Sequence, residues 1–317
     1  MLSRIGNSLF WMGRYIERAE HIARHARVQY ASSVDAPLSQ KREAVLESIL
    51  DMATNREGYF NVHSQLNEDD VVRYTAVSET NNFSVLAYIS MIRENARGAR
   101  DSLSIELWEA INSFYHKINA FSTAGFQAEE IEYFARRIEQ NSYVIKGYID
   151  NTLLHNAVWM LISLGIHLER ATQVILILQT KLKDIEKNNS SKFEEAVDNF
   201  QWTTVLRSIE AYDMFMRCKK TTPNKHHVLD FLLFDTAFPK SIAFSLSCVK
   251  QFISSIPFPD EEKKKESLEF IAGKLACRFQ YTTIDEVEEK ASEFLKQTLN
   301  TIYEIAGLLD VKYLKYH

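Results

Sequence analysis

The sequence predicts an all-α protein, an extended multi-helix bundle of about ten or more helices, with two related Glu-Arg helices packed centrally. Three observations carry this prediction. Apolar residues recur at alternating spacings of four and three over long stretches, the period of one helix face. Glycine (9) and proline (5) are scarce in 317 residues, and so few breakers disfavour a turn-rich β fold. A Gly-x-x-x-Glu-Arg-Ala pattern occurs twice, as Gly13 to Glu17-Arg18-Ala19 and as Gly165 to Glu169-Arg170-Ala171.

Ile5, Leu9, Met12, Ile16, Ala19, Ala23, Ala26 and Tyr30 form the first stripe, which lasts about seven turns. Ser32-Ser33 and Asp35-Ala36-Pro37 are its stop signals. A second helix is predicted over 38–54, and short helical turns joined by loops over 55–82. Asn81 or Asn82 is expected to cap the next helix. That helix carries Val85, Ile89, Ile92, Ala96, Ala99 and Leu103, with a kink near Ser102–Ser104 before 105–121. Thr123-Ala124-Gly125 breaks the chain ahead of a helix over 128–148.

The segment 153–185 holds Leu161, Leu164, Leu168, Ala171, Ile175, Leu178 and Leu182 in register, with Ile162, Val174, Leu176 and Ile177 on its other faces. A helix apolar nearly all round is a central, buried one. The whole chain, 1–317, reads as one domain, with the polar stretch 187–192 as a possible subdomain boundary. Further helices are predicted over 205–219, 226–234, 240–254, 260–279 and 284–308. Thr222-Pro223-Asn224, 235–239 and Pro257-Phe258-Pro259 separate them.

The totals exclude several classes. Net charge is −5 with no long basic block, so the electrostatic footprint of a nucleic-acid binder is missing. Cys218, Cys248 and Cys277 are far apart and read as reduced, buried thiols of a cytoplasmic protein rather than a disulfide framework. The first residues lack the pattern of a signal peptide, and the longest apolar run, 157–166, is too short for a bilayer span. There is no phosphate-binding glycine loop, no Glu-x-x-His pattern and no nucleophile-base set, so no cofactor is expected. Glu17, His21 and His25 lie four apart, but one helix supplies only part of a metal shell, and no metal is expected either. His226-His227 read as ordinary helix residues.

The two Glu-Arg helices are the candidate working surface. Glu17 shares a flank with Phe10, Gly13, Glu20 and Arg24, and Arg18 shares the opposite flank with Trp11, Tyr15, Ile22 and His25. Neither flank reads as a solvated face. Gly13 costs about 1 kcal/mol against alanine in a helix, and its usual return is close backbone approach. Gly165 sits at the same offset before Glu169. The pair argues that two helices cross there, and one arrangement has them cross each other. Reciprocal bridges, Glu17 with Arg170 and Glu169 with Arg18, would then hold the crossing. The alternative is a pocket in which Arg14, Glu17, Arg18, Glu20, Arg24, Glu169 and Arg170 bind a ligand, since a guanidinium grips two oxygens of a carboxylate or phosphate.

Three further clusters are candidates. Glu94, Arg97, Arg100 and Asp101 form charged rows with Glu106 beyond them, and Gly98 within the rows hints at close packing. Glu210 and Tyr212 form the next. Lys240 and Ser241 follow Pro239, a proline suited to a first helical position, which would place both at a helix N-terminus where anions bind. The plain alternatives are an ion-paired surface for the first cluster and ordinary helix-start chemistry for the last.

These residues, in this order, resemble the bacterial Alpha-E family of all-helical proteins. The matching stretches are 9–20 with Ala23-Arg24, Glu94-Asn95-Ala96-Arg97 with Arg100-Asp101, Ser104 and Glu106 with Trp108, Trp159 with Leu164-Gly165 and Leu168-Glu169-Arg170-Ala171, Glu210-Ala211-Tyr212, and Phe231-Leu232-Leu233 with Phe238-Pro239-Lys240-Ser241. Where the family's second motif has Arg, Tyr and Asp, this chain has Ile166, His167 and Thr172, and Lys240 replaces an Arg. The resemblance implies an accessory, peptide- or partner-binding subunit beside circularly permuted ATP-grasp proteins and transglutaminase-like peptidases, in a system that makes or modifies peptides by amide ligation. Two rival expectations are an enzyme using a Glu/Arg-lined cleft for carboxylate binding and acid-base chemistry, and a helical assembly protein that forms homo-oligomers.

Overall fold

Helices supply all the regular structure in the described residues of the computed structural model, which are 3–35, 42–53, 56–123, 125–187, 194–256 and 267–314. No strand occurs among them. In chain order they are α1 (Ser3–Asp35), α2 (Arg42–Met52), α3 (Arg56–Phe60), α4 (Glu68–Ala76), α5 (Val85–Gly98), α6 (Ile105–Thr123), α7 (Ile131–Thr152), α8 (Ala157–Lys187), α9 (Glu194–Ser208), α10 (Tyr212–Lys219), α11 (Lys225–Phe234), α12 (Ile242–Ser255), α13 (Leu268–Gln280), α14 (Ile284–Val287) and α15 (Ala291–Leu309).

Local chemistry sets the helix ends. α1 runs through Ser32 and Ser33 to Asp35, and its expected stop at Ala36-Pro37 lies outside the described residues, as does Pro257-Phe258-Pro259. Ser84, not Asn81 or Asn82, caps α5, its hydroxyl accepting from the Ala87 amide (3.2 Å). Asn81 is instead buried, donating to the Tyr74 carbonyl (2.9 Å) and accepting from the Phe83 amide (2.9 Å). The expected kink near Ser102 is a full break: α5 ends at Gly98, a 3₁₀ turn covers Arg100–Ser102, and Ser104 accepts from the Leu107 amide to start α6. The expected helix over 205–219 is also two helices, because Glu210 adopts a left-handed backbone (φ 56°) between α9 and α10. A 3₁₀ turn at Glu288–Lys290 likewise divides α14 from α15.

The chain forms two compact units. The first comprises Met1–Arg14, Leu154–Leu206 and Glu210–His317, and the second Tyr15–Leu153 with Arg207–Ile209. Residues 188–193 lie outside the described set, and the described residues flanking them belong to one and the same unit.

α8 is the central helix of the first unit. Leu164, Leu168, Ala171, Val174, Ile175 and Leu178 are fully buried, and each large side chain so buried contributes roughly 1.5–3 kcal/mol. α8 packs on α12 and α15, and α12 in turn on α11 and α13. Taken whole, α8 is long and apolar enough to cross a membrane by length and composition, which the run 157–166 alone is not, but 89% of its most apolar window is covered by protein. In the second unit α6 packs between α5 and α7, and α2 packs on α4. Phe121, Phe126 and Phe134 meet edge to face at 5.2–6.3 Å in its core.

The glycine pair places the first turns of α1 on α8 within the first unit. A Cβ on Gly13 would overlap the Ile162 carbonyl and lie 3.2 Å from the Ile166 amide nitrogen. A Cβ on Gly165 would overlap the Phe10 carbonyl and lie 3.1 Å from the Arg14 amide nitrogen. Each glycine thus faces the residues three before and one after the other, a local two-fold. The helices cross each other at the two glycines, and only a hydrogen fits.

Gly13→Ala and Gly165→Ala should therefore each destabilise the protein by about 1–3 kcal/mol, despite the roughly 1 kcal/mol that alanine gains in a helix interior. Gly147→Ala and Gly273→Ala, where nothing lies within 4 Å of the added atom, should raise stability or leave it unchanged. Thermal unfolding followed by circular dichroism separates the two sets, and equal effects would refute the crossing.

Candidate functional site

The crossing brings together the first of two buried charge centres. The Arg14 guanidinium donates to the Glu169 carboxylate at 2.7 Å, and both side chains are buried. Gln173, one turn further along α8, donates to the other oxygen of Glu169 (2.7 Å). Arg14 also lies over the Trp11 ring, 4.9 Å from its centroid. The charge is thus matched by charge and by amide, the condition under which a buried ion pair is tolerated.

The neighbouring residues of this unit explain the departures of the second motif. Ile166 stands where the first motif has Arg14 and is buried without charge. His167 keeps a ring in the place of the tyrosine, against Phe244 (6.0 Å) and Phe252 (5.9 Å) of α12. Thr172 bonds back to the Leu168 carbonyl (2.9 Å) of its own helix. Arg170 donates to the Pro239 carbonyl (3.2 Å). Lys240 pairs with Glu210, so the left-handed residue and the lysine that replaces arginine are one contact. Ser241 is the N-cap of α12, accepting from the Phe244 amide (3.0 Å) and donating to the Asp235 carbonyl. That is helix-start chemistry, with Pro239 two residues ahead of the cap rather than at the first helical position. Tyr212 opens α10.

The second charge centre lies in the second unit, between the later turns of α1 and α7. Lys146 reaches Glu17 at 2.5 Å and Glu20 at 2.6 Å. Glu20 also pairs with Arg24. Arg24 and Arg27 approach Glu139 at 3.4 and 3.1 Å, and Arg27 lies 3.6 Å from Glu132. His21 contacts Glu17 at 3.3 Å. Glu132, Glu139 and Lys146 are spaced by seven on α7 and meet α1 in reverse order, the ladder of two antiparallel helices. Glu17, Glu20, His21 and Arg24 are fully buried. Arg18 is half-buried, with its guanidinium 5.4 Å from the centroid of Tyr88.

His25, on the same helix, is buried and shares a hydrogen bond with the Ser48 hydroxyl (3.1 Å). Burial lowers its pKa to about 4, and His21 adds to the depression against the opposing Ser48 contact. Among the described residues no three His, Cys, Asp or Glu side chains form a group that could hold a metal.

The remaining candidates are surface groups. Glu94 and Arg97 are exposed and pair with each other (2.5 Å), and Arg93 approaches Glu94 at 3.4 Å. Gly98 is exposed at the end of α5 and marks no close packing. Arg100 covers the Trp108 ring (5.5 Å), and Asp101 and Glu106 are exposed. Cys218 is exposed and Cys248 and Cys277 half-buried, so the expectation of buried thiols fails. His226 bonds Glu288 (2.7 Å) and His227 bonds Asn224 (2.9 Å). Lys146, Glu139 and Arg27 escaped the sequence reading. Their signal was two charges seven apart at the edge of the stripe Ala135, Ile138, Ser142, Ile145 and Ile149.

Fold and site define an all-α protein built on two crossing Glu-Arg helices whose glutamates are fully buried. The chain belongs to the Alpha-E family, described as a predicted alpha-helical domain with a conserved ER motif, which matches residues 1–314. Uncharacterised proteins of Mycobacterium bovis and Mycobacterium tuberculosis are 20% identical over 324 residues, covering 96% of this chain. The chain spans 35% of the length of these curated relatives. No solved structure matches it.

Removing one member of a buried pair leaves its partner uncompensated. Lys146→Met should cost roughly 3 kcal/mol, read from denaturant midpoints; a midpoint like that of the parent would exclude the ladder as a source of stability. His25 gives a pH effect of determined sign. Its folded pKa (about 4) lies below the unfolded value of 6.5, so between these values the unfolded state binds the extra proton. Stability should fall by about 3 kcal/mol as pH drops from 6.5 to 4. His25→Gln should remove that component from midpoints compared at pH 7 and pH 4.5, and an unchanged slope would assign it elsewhere.

Proposed function

We propose that the protein is an accessory, peptide- or partner-binding subunit of an ATP-grasp amidoligase and transglutaminase-like system for peptide synthesis or modification. The observation that carries this reading is the engagement of the buried charges with one another. Arg14 holds Glu169, Lys146 holds Glu17 and Glu20, and Arg24 reaches Glu139. Glu17, Glu20 and Glu169 have no exposed surface. A carboxylate in that position reaches a substrate only if the helices part, whereas acid-base catalysis requires contact with the reacting proton. Such groups suit a rigid frame that presents a surface to another molecule.

Two considerations favour the partnership. In the mycobacterial relatives the matched region is about a third of a longer chain, so this kind of domain occurs joined to further sequence. The motifs quoted above resemble those of proteins found beside circularly permuted ATP-grasp proteins. Co-expression of the full chain with such an ATP-grasp protein from the same organism should yield a complex that survives affinity capture and migrates as one peak in size-exclusion chromatography. Separate elution of the two proteins would remove the main support for the reading.

A further inference from the structure

The second unit has a groove of about 290 Å³ between α6 and α7. Glu106, Glu109, Ser113 and Lys117 line it from α6, and Asn141, Val144 and Tyr148 from α7. The α6 residues are a single stripe, offset by three, four and four. The Ser104 and Thr152 hydroxyls meet at 2.7 Å, so the start of α6 lies beside the end of α7. Tyr148 is therefore at the Glu106 end and Asn141 at the Lys117 end.

The charges of this groove differ from the paired exposed charges of the unit. Glu94 and Arg97 pair with each other, as do Arg136 and Glu132. Glu106, Glu109 and Lys117 make no ion pair or hydrogen bond among the described residues. Two like charges three apart on a helix repel, and no cation among the described residues pairs with them. Tyr148 adds a ring face, which attracts a cation. At the other end, eight to eleven residues along α6, or about 12–16 Å, stands a lone ammonium. Ser113 lies between the ends, with the Tyr148 hydroxyl at the glutamate end and the Asn141 side-chain oxygen at the lysine end; the Asn141 amide nitrogen is already bonded to the Arg137 carbonyl (2.7 Å).

We infer that this groove binds a short extended peptide with both termini free, its ammonium at Glu106 and Glu109 and its carboxylate at Lys117. At about 3.3 Å per extended residue, the separation of the charged ends fits about four residues, and the groove volume is at the small end of ligand sites. The hydroxyls and the amide oxygen along the groove supply donors and acceptors for a peptide backbone. A polyamine would set a second cation against Lys117, and a phosphate would meet the two glutamates. The inference rests on the peptide-binding part of the proposed function and gives it a place that leaves the buried charge centres intact.

Isothermal titration of the full chain with tetra-alanine tests it. Saturable one-to-one binding is expected, weakened about tenfold or more by N-acetylation of the peptide and by the double substitution Glu106→Gln, Glu109→Gln. Amidation of the peptide's C-terminus and Lys117→Gln should weaken it likewise. The substituted side chains are exposed, and circular dichroism checks that the variants fold. No saturable binding, binding indifferent to these changes, or spermidine bound in place of the peptide would each overturn the site. The outcome is separate from that of the ATP-grasp complex, because the titration needs no partner protein.

Discussion

Gly13 and Gly165 set the distance between the start of α1 and the middle of α8, and much of the first unit follows from that distance. With each glycine against the other helix's backbone, the helices approach more closely than side chains allow. Residues one and four positions along from the glycines are then forced inward. Arg14 and Glu169 are such residues, and both are buried. The pair exists because the crossing leaves neither side chain an exit, and its hydrogen bonds with Gln173 offset the desolvation that the crossing imposes. The geometry comes first and the charges answer it.

The local two-fold also explains an asymmetry. Glu17 is to Gly13 as Glu169 is to Gly165, and His21 and Gln173 each contact the glutamate one turn before them. Arg14, the cation at Glu169, has Ile166 as its counterpart. Glu17 instead draws a cation from α7, where Lys146 holds it together with Glu20. Glu20 has Thr172 as its counterpart, a residue that needs no cation and bonds its own helix. The loss of an arginine and of an acid from the second motif thus removes two opposite charges together, so each remaining buried carboxylate keeps a partner.

Most of the architecture was legible because helix periodicity and burial are encoded locally. The four-three stripe of α1 is buried from Leu9 to Ala26, and the seven in-register residues of α8 are all buried. The glycines were legible too, since a costly residue repeated at one offset requires a reason. What stayed hidden depends on residues distant in sequence or on backbone states that propensity does not report. The left-handed turn at Glu210 is one: glutamate favours helix, and nothing in its neighbours announces φ 56°. Its carboxylate meets Lys240, thirty residues on. The ladder on α7 is another, because Glu139 and Lys146 read as edge charges until α1 is laid against them. Ser84 rather than Asn81 as the cap of α5 shows the same limit, since either side chain can accept from a free amide and the choice is made by Asn81 filling a buried site beside Tyr74.

The division between buried and unpaired charge bears directly on what the molecule does. Charges at the crossing and at the buried end of the ladder, Arg14, Glu169, Glu17, Glu20 and Arg24, are fixed by partners of this chain and by near-complete burial, so their chemistry is exerted on the fold. Charges on the α5 rows neutralise each other in water, where such pairs contribute little. Those at the two ends of the α6–α7 groove have neither constraint: they are exposed, opposite in sign and unpaired among the described residues, and a concave surface lies between them. Glu106 was grouped with Glu94 and Asp101 by sequence proximity alone, yet it faces a different helix and a different environment. Glu106, Glu109 and Lys117 all stand on α6, so the helix itself keeps the two charged ends of that groove at a constant separation, and a constant separation is what selects a ligand by length.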